Sequence, residues 1–282
     1  MKPILRAAAV TVFAASATAA QAGFIISSAS GPDAAAIQAG VDSFRGSLGA
    51  LNPNIAGSFA SGRREINWDG VPDTASAPNN LAANFFNSNS PRGVVFSTAG
   101  SGFQVSANAV NPTSTPIEFG NINPGFPALF RAFSAQRLFT AVGSNVLDVT
   151  FFVPGSSQAA TSTAFGVVFT DVDLANSTTL QFFDVNGVSM GTVSAPNVAG
   201  NETLSFIGLR FDAGERFGRV RITSGGQALS GGAEIGDYVV MDDFIYAEPI
   251  STAVPEPTTL AMLAAGSAAL LARRRRQVTV TS

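Results

Sequence analysis

The stretch TLQFFDVNGVSMGTVS, Thr179–Ser194, decides how this chain folds. Two runs rich in β-branched and aromatic residues flank Asn186-Gly187. That dipeptide tolerates the positive φ angles of a type I′ turn, whose twist matches that of two paired strands. The stretch therefore predicts an antiparallel hairpin. Working outward, similar short runs recur between turn residues: VLDVTFFV (Val146–Val153), AFGVVFTDVD (Ala164–Asp173), ETLSFIGLRF (Glu202–Phe211), GRVRIT (Gly218–Thr223) and YVVMDDFIYA (Tyr238–Ala247). Upstream, GVVFS (Gly93–Ser97) and GFQVSA (Gly102–Ala107) are separated by Thr98-Ala99-Gly100-Ser101, which predicts a second hairpin. The Pro- and Asn-rich stretch from Ala107 to Pro127 reads as loop. No helical stretches alternate with these strands, which argues against a parallel α/β fold. The expectation is a mostly β chain, an antiparallel β-sandwich of jelly-roll type.

One short N-terminal helix is expected. Asp33 is a good N-cap, and Ile37, Val41, Phe44 and Leu48 fall on one apolar stripe at helical spacing. The stripe predicts packing against a sheet.

Composition supports the β reading. Of 282 residues, 46% are hydrophobic and only 12% charged, with 28 glycines and 23 phenylalanines against one tryptophan. The net charge of −3 hides an asymmetry. From Gly23 to Val254 there are ten arginines, no lysine and eighteen acids, a net −8. An acidic body makes nucleic acid a poor partner, because phosphate binding needs clustered cations. The chain has no histidine or cysteine, and Lys2 is its only lysine. Ser-His-Asp, Cys-His and Ser-Lys nucleophile systems are therefore excluded from the body, as are His/Cys zinc sites. Without disulfides, an exported fold must hold by packing alone.

The two ends read as addresses. Lys2 and Arg6 precede an apolar run, followed by Ala20-Gln21-Ala22, the small-x-small pattern of a secretory signal peptide cleaved after Ala22. Signal peptidase and the export translocon are the implied partners. At the other end, Leu260–Ala272 carries no charge and Arg273, Arg274, Arg275 and Arg276 follow. Thirteen residues make about 20 Å of helix, short of a hydrocarbon core of about 30 Å, so a weak, transient transmembrane anchor is expected. By the positive-inside rule the arginines stay cytoplasmic while the body crosses the inner membrane. Pro255 and Pro257 flank Glu256 after Val254, and proline disfavours helix before it, so this stretch should be extended and reachable.

Val254-Pro255-Glu256-Pro257, an apolar run and a terminal arginine cluster together resemble the PEP-CTERM sorting signal. The resemblance covers Val254 to about Gln277, with Val278–Ser282 as an extra tail. It implies recognition by an exosortase, a membrane protease-transpeptidase that processes the Pro-Glu-Pro region. It also implies delivery to the cell surface or extracellular matrix of a Gram-negative bacterium that makes exopolysaccharide. The organisation expected is a signal peptide (1–22), a β-sandwich domain (23–250) and a sorting segment (254–277).

Within the body, Arg63, Arg64 and Asp69 crowd around Trp68. One reading lays Trp68 on a sugar face with these groups bonding hydroxyls; the other buries it in the core beside an internal ion pair. Two acidic pairs also stand out, Asp171 with Asp173 and Asp242 with Asp243. Strict alternation puts Asp242 and Asp243 on opposite faces of a strand, so one is buried and needs a partner. A structural calcium ion shared with Asp171 or Asp173 would serve; so would an arginine or backbone N–H groups. The functional expectation is a non-catalytic surface or matrix protein associated with exopolysaccharide. The alternatives are a carbohydrate-active enzyme with paired carboxylates, and a purely structural or adhesive protein.

Overall fold

The computed structural model describes residues 23–230 and 236–252. The expected leader and sorting segment both lie outside the described residues. Among those described, no helix is long and apolar enough to cross a membrane. The strands are Phe24–Gly31 (β1), Arg63–Ile66 (β2), Val94–Thr98 (β3), Gly102–Val105 (β4), Phe139–Val142 (β5), Val146–Phe151 (β6), Ala160–Thr161 (β7), Ala164–Thr170 (β8), Thr179–Phe183 (β9), Ser189–Ser194 (β10), Leu204–Phe211 (β11), Arg219–Thr223 (β12), Val240–Ala247 (β13) and Ile250–Ser251 (β14). Two helices, Ala34–Leu48 (α1) and Phe85–Ser88 (α2), accompany them.

The hairpin at Asn186-Gly187 forms, but not through the expected type I′ turn, since Gly187 takes a positive φ and Asn186 does not. β9 pairs antiparallel with β10, Gly187 has φ +80°, and Asp184 Oδ1 accepts from the backbone N–H of Asn186 and Val188. Every ladder between named strands is antiparallel. One sheet runs β1-β11-β8-β13-β5-β4, with β2 also on β13; the other runs β10-β9-β12-β6-β3; β14 and β7 form a small third pair.

The two large sheets share one aromatic core. Phe151 of β6 meets Phe165 of β8 with ring centroids 6.1 Å apart, and Phe182 of β9 meets Phe211 of β11 at 5.9 Å. The alternating burial of β6 follows, since one of its faces meets that core and the other does not. β8 is buried along its whole length because α1 covers its second face.

Helix α1 begins as the sequence predicts: Asp33 Oδ1 accepts from the Ala36 N–H at 3.0 Å. Ile37, Val41, Phe44 and Leu48 are its buried residues. Phe44 seats over Gly166 and Gly208, which pair across β8 and β11. A Cβ at either position would stand 2.8 Å from the Phe44 ring, so the ring's seat requires glycine on both strands.

The second expected hairpin does not form. β3 belongs to the five-stranded sheet and β4 to the seven-stranded one. The Thr98–Ser101 link is fastened at each end to a different sheet, with Thr98 Oγ1 donating to Val146 O at 2.7 Å and Ser101 N donating to Val142 O at 2.8 Å. It crosses between sheets beside the β5–β6 connection, which crosses in the same way. Gly100 is required there, because a Cβ would lie 2.3 Å from Val142 O. β1, β2, β5, β7 and β14 are strands beyond those the sequence predicts.

Candidate functional site

Asp242 and Asp243 sit at a register shift in β13, between Met241 and Phe244. The extra residue breaks strict alternation. Met241, Phe244 and Tyr246 all face the shared core, while both carboxylates leave it on the same side. This corrects the expectation that they occupy opposite faces. Asp242 Oδ2 accepts from the N–H of Phe133 (2.6 Å) and Ser134 (3.1 Å). The Ser134 hydroxyl lies 3.0 Å from Asp242 Oδ1 and 2.8 Å from Asp243 Oδ1. Arg45 of α1 reaches Asp243 Oδ2 at 2.7 Å and Glu65 Oε2 at 3.1 Å. Burial, then the charge of Asp243, pushes the Asp242 carboxyl well above the usual range; burial raises Asp243 too, with the Ser134 and Asp242 hydrogen bonds and the Arg45 charge pulling the other way. These oxygens are taken by an arginine, a hydroxyl and backbone donors, so they do not fit a calcium ion.

Trp68 is in the core, 1% exposed, and is not on a sugar face. Its ring stacks on Phe139 at 4.0 Å and meets Phe86 and Phe244 edge-on. Its Nε1–H donates to Asp242 O at 2.8 Å, satisfying a carbonyl in the bulge. These contacts hold Trp68 at φ +64°, a conformation unusual for so large a residue. Arg64 points elsewhere: its guanidinium is fully buried against Glu248 and donates to the carbonyls of Pro53, Ile55, Gly57 and Pro91. Arg63 pairs with Glu65 at 2.6 Å, and Asp69 accepts from the Arg137 N–H. The four residues thus serve four separate structural contacts and do not converge.

Asp171 and Asp173 lie past the end of β8 and share no partner with the Asp242–Asp243 pair. Asp171 is buried, has φ +68°, and its Oδ1 has no hydrogen-bond partner among the described residues. Asp173 Oδ1 accepts from Gly200 N at 2.8 Å, and its own N–H donates to Asp237 Oδ1 at 3.0 Å. Asp237 is buried too, with Oδ2 unpartnered. Burial, followed by the charges of Asp173 and Asp237, raises Asp171 to about 7. Asp237 escaped the sequence reading; an acid just ahead of a strongly apolar strand is the only signal it leaves. Among the described residues no group of three or more His, Cys, Asp or Glu is arranged to hold a metal.

The outer face of the five-stranded sheet carries the other cluster. Register aligns Ser97, Asp148, Arg221, Gln181 and Thr192 across all five strands. Arg221 grips Asp148 with both Nε (2.9 Å) and Nη2 (3.0 Å), and Arg219 reaches the same carboxylate at 2.9 Å. Burial would raise Asp148, but the hydrogen bonds and charges of Arg221 and Arg219 outweigh it and hold the carboxyl below its ordinary range. Arg219 also covers the Phe183 ring, 3.8 Å from its centroid. Shallow depressions flank the trio, one of about 470 Å3 beside Ser97 and Val146, the other of about 240 Å3 beside Thr150 and Gly218.

No curated protein and no solved structure is significantly similar to the chain. Residues 253–276 match the PEP-CTERM protein-sorting motif. The match takes in Val254–Pro257 and Arg273–Arg276 and leaves the β body outside it. The motif implies an exosortase as processing partner, with export and a transient membrane anchor before surface display. By its tail, the chain carries a motif that implies an exosortase-sorted, exported protein.

Proposed function

We propose that the chain is a non-catalytic surface or matrix protein whose body, a jelly-roll-like sandwich of the two large sheets, associates with extracellular polysaccharide. Residues 1–22 act as a leader removed after Ala22. The observation that carries the reading is the sorting motif at 253–276, which implies export and so supports a partner outside the cell. The five-residue row across the outer sheet supports it. Its donors and acceptors stand one strand spacing apart, about 4.8 Å, a repeat comparable to one sugar residue. Asp148 stays ionised and able to accept from hydroxyls; Arg221, with its side chain 44% exposed, offers further donors. A glycosidase would need two carboxylates facing each other across an open cleft. Asp242 and Asp243 instead lie side by side beneath Ser134, almost fully buried, which favours the non-catalytic reading.

The test is co-sedimentation of the purified exported protein with exopolysaccharide from the producing cells. Wild type should pellet with the polymer, and the double variant Arg221→Ala, Gln181→Ala should stay in solution. Failure of the wild type to pellet overturns the association. Equal retention of the variant overturns this face. Release of reducing ends from the polymer overturns the non-catalytic assignment.

A further inference from the structure

Where β8, β11 and β13 end together, two buried carboxylates each leave one oxygen without a donor among the described residues. The ladders place Thr170 opposite both Leu204 and Val240, so Asp171 is the first residue past both pairings. Its N–H still donates to Thr203 O at 3.0 Å, which holds the carboxylate inside the sheet end. Asp237 approaches from the segment leading into β13, its Oδ1 fixed by the Asp173 N–H. Among the described residues, Asp171 Oδ1 and Asp237 Oδ2 are each buried and each lack a hydrogen-bond partner, in residues only 3% and 4% exposed. A buried carboxylate oxygen left without a donor costs on the order of several kcal/mol, and two near one another cost more, unless a cation compensates them.

Among the described residues no side-chain cation answers this need, and neither Asp171 nor Asp237 forms an ion pair there. We propose that Asp171 and Asp237 bind a calcium ion, with Asp173 as the residue that positions Asp237. The donor set is all oxygen, which suits a hard cation and excludes the soft metals. Two carboxylates leave most of the shell to backbone carbonyls and water. Calcium accepts such irregular shells of about 6–8 oxygens, whereas magnesium demands near-octahedral geometry and sheds water reluctantly. The site is separate from the polysaccharide face, so it stands or falls without that reading.

The experiment is thermal unfolding of the exported protein at neutral pH, in EDTA, in millimolar calcium and in millimolar magnesium, with no polysaccharide present. Radioactive calcium retention on the same samples measures binding directly. Calcium should raise the Tm by roughly 5 °C over EDTA; magnesium should raise it by much less. Asp171→Asn and Asp237→Asn should each remove the calcium response and the retained calcium. Asp42→Asn, on the exposed face of α1, should keep both. An identical wild-type Tm in calcium and EDTA with no calcium retained overturns the proposal, as does an equal rise in magnesium. A response that survives in the Asp171→Asn, Asp237→Asn double variant overturns the site.

Discussion

Arg64 and Glu248 form an ion pair at 2.8 Å in which neither side chain is more than 1% exposed. The two residues are 184 positions apart and join β2 to the end of β13. Arg64 also gathers the carbonyls of Pro53, Ile55, Gly57 and Pro91, so one guanidinium organises the loop before β2 and the segment before β3. Glu248 spreads its oxygens over Arg64, Asn52 Nδ2 and the Phe59 N–H. Removing one partner strands a buried charge, which typically costs about 3–5 kcal/mol. Glu248→Gln and Arg64→Met should each lower stability by that amount in a urea titration. A loss below about 1 kcal/mol in both, the size of an exposed pair, would show that the pair is solvated in solution.

Trp68 is the only tryptophan, so its fluorescence reports one environment. A ring stacked on Phe139 and closed in by Phe86 and Phe244 should emit in the blue and resist iodide quenching. Emission should be unchanged by polysaccharide and should shift red only on unfolding. Trp68→Ala should cost about 3–5 kcal/mol. Trp68→Phe should cost less, since it keeps the stack and loses the N–H bond to Asp242 O. Ready quenching in the native protein would put the ring back on a surface.

What the sequence disclosed was local. The α1 stripe and the Asn186-Gly187 hairpin depend on residues a few positions apart, and both form, although the turn itself is not type I′. Thr98–Ser101 misled because a four-residue Gly-containing link suits a hairpin and a crossover between sheets equally; only Val142 and Val146, more than forty residues on, decide between them. β2 was hidden because Arg-Arg-Glu has no strand-like alternation until Glu248 neutralises Arg64. β1 was hidden by its serines and by three large apolar side chains that stay substantially exposed on an edge strand. At the sites, type and pairing of residues were legible and direction was not. Asp242 and Asp243 stood out as acids in an apolar strand, but the bulge that turns both toward Ser134 leaves no mark in the spacing. The sorting tail was legible in full, because its three parts follow one another along the chain.

Stability should fall as pH rises from about 5 to about 8. Glu118, half-buried and near Glu202, has its carboxyl raised to about 7, by burial first and then by that neighbour's charge. In the unfolded chain it releases its proton near 4.5, so between these values the native state holds the extra proton and each rise in pH favours unfolding. Asp242, raised by burial, acts in the same direction. Asp148 acts oppositely: held below its ordinary 3.8, it contributes stability above that pH and loses it as acid protonates the carboxylate. The maximum therefore belongs near pH 4–5, roughly between these ranges. Melting curves in EDTA across this range check it, and Glu118→Gln should flatten the slope between about 5 and 7. A Tm that climbs steadily from pH 5 to 8 would contradict the assignment of these protons.

The sorting segment and the body should be separable. The last strand described is Ile250–Ser251, paired with Ala160–Thr161, and none of the described ladders uses a residue beyond it. Deleting Val254–Ser282 should therefore leave the thermal unfolding of the body unchanged within error while abolishing surface display. Replacing Glu256 and the two flanking prolines by alanine should block processing alone, so the protein accumulates in the membrane fraction at its unprocessed mass. Replacing Arg273–Arg276 by glutamine removes the charges that keep the tail cytoplasmic, and should lower the membrane-retained intermediate instead. Immunoblots of membrane, surface and medium fractions separate these outcomes. Normal surface display of the truncated chain would mean that the body carries its own address, and the reading of the tail as the sorting signal would fall.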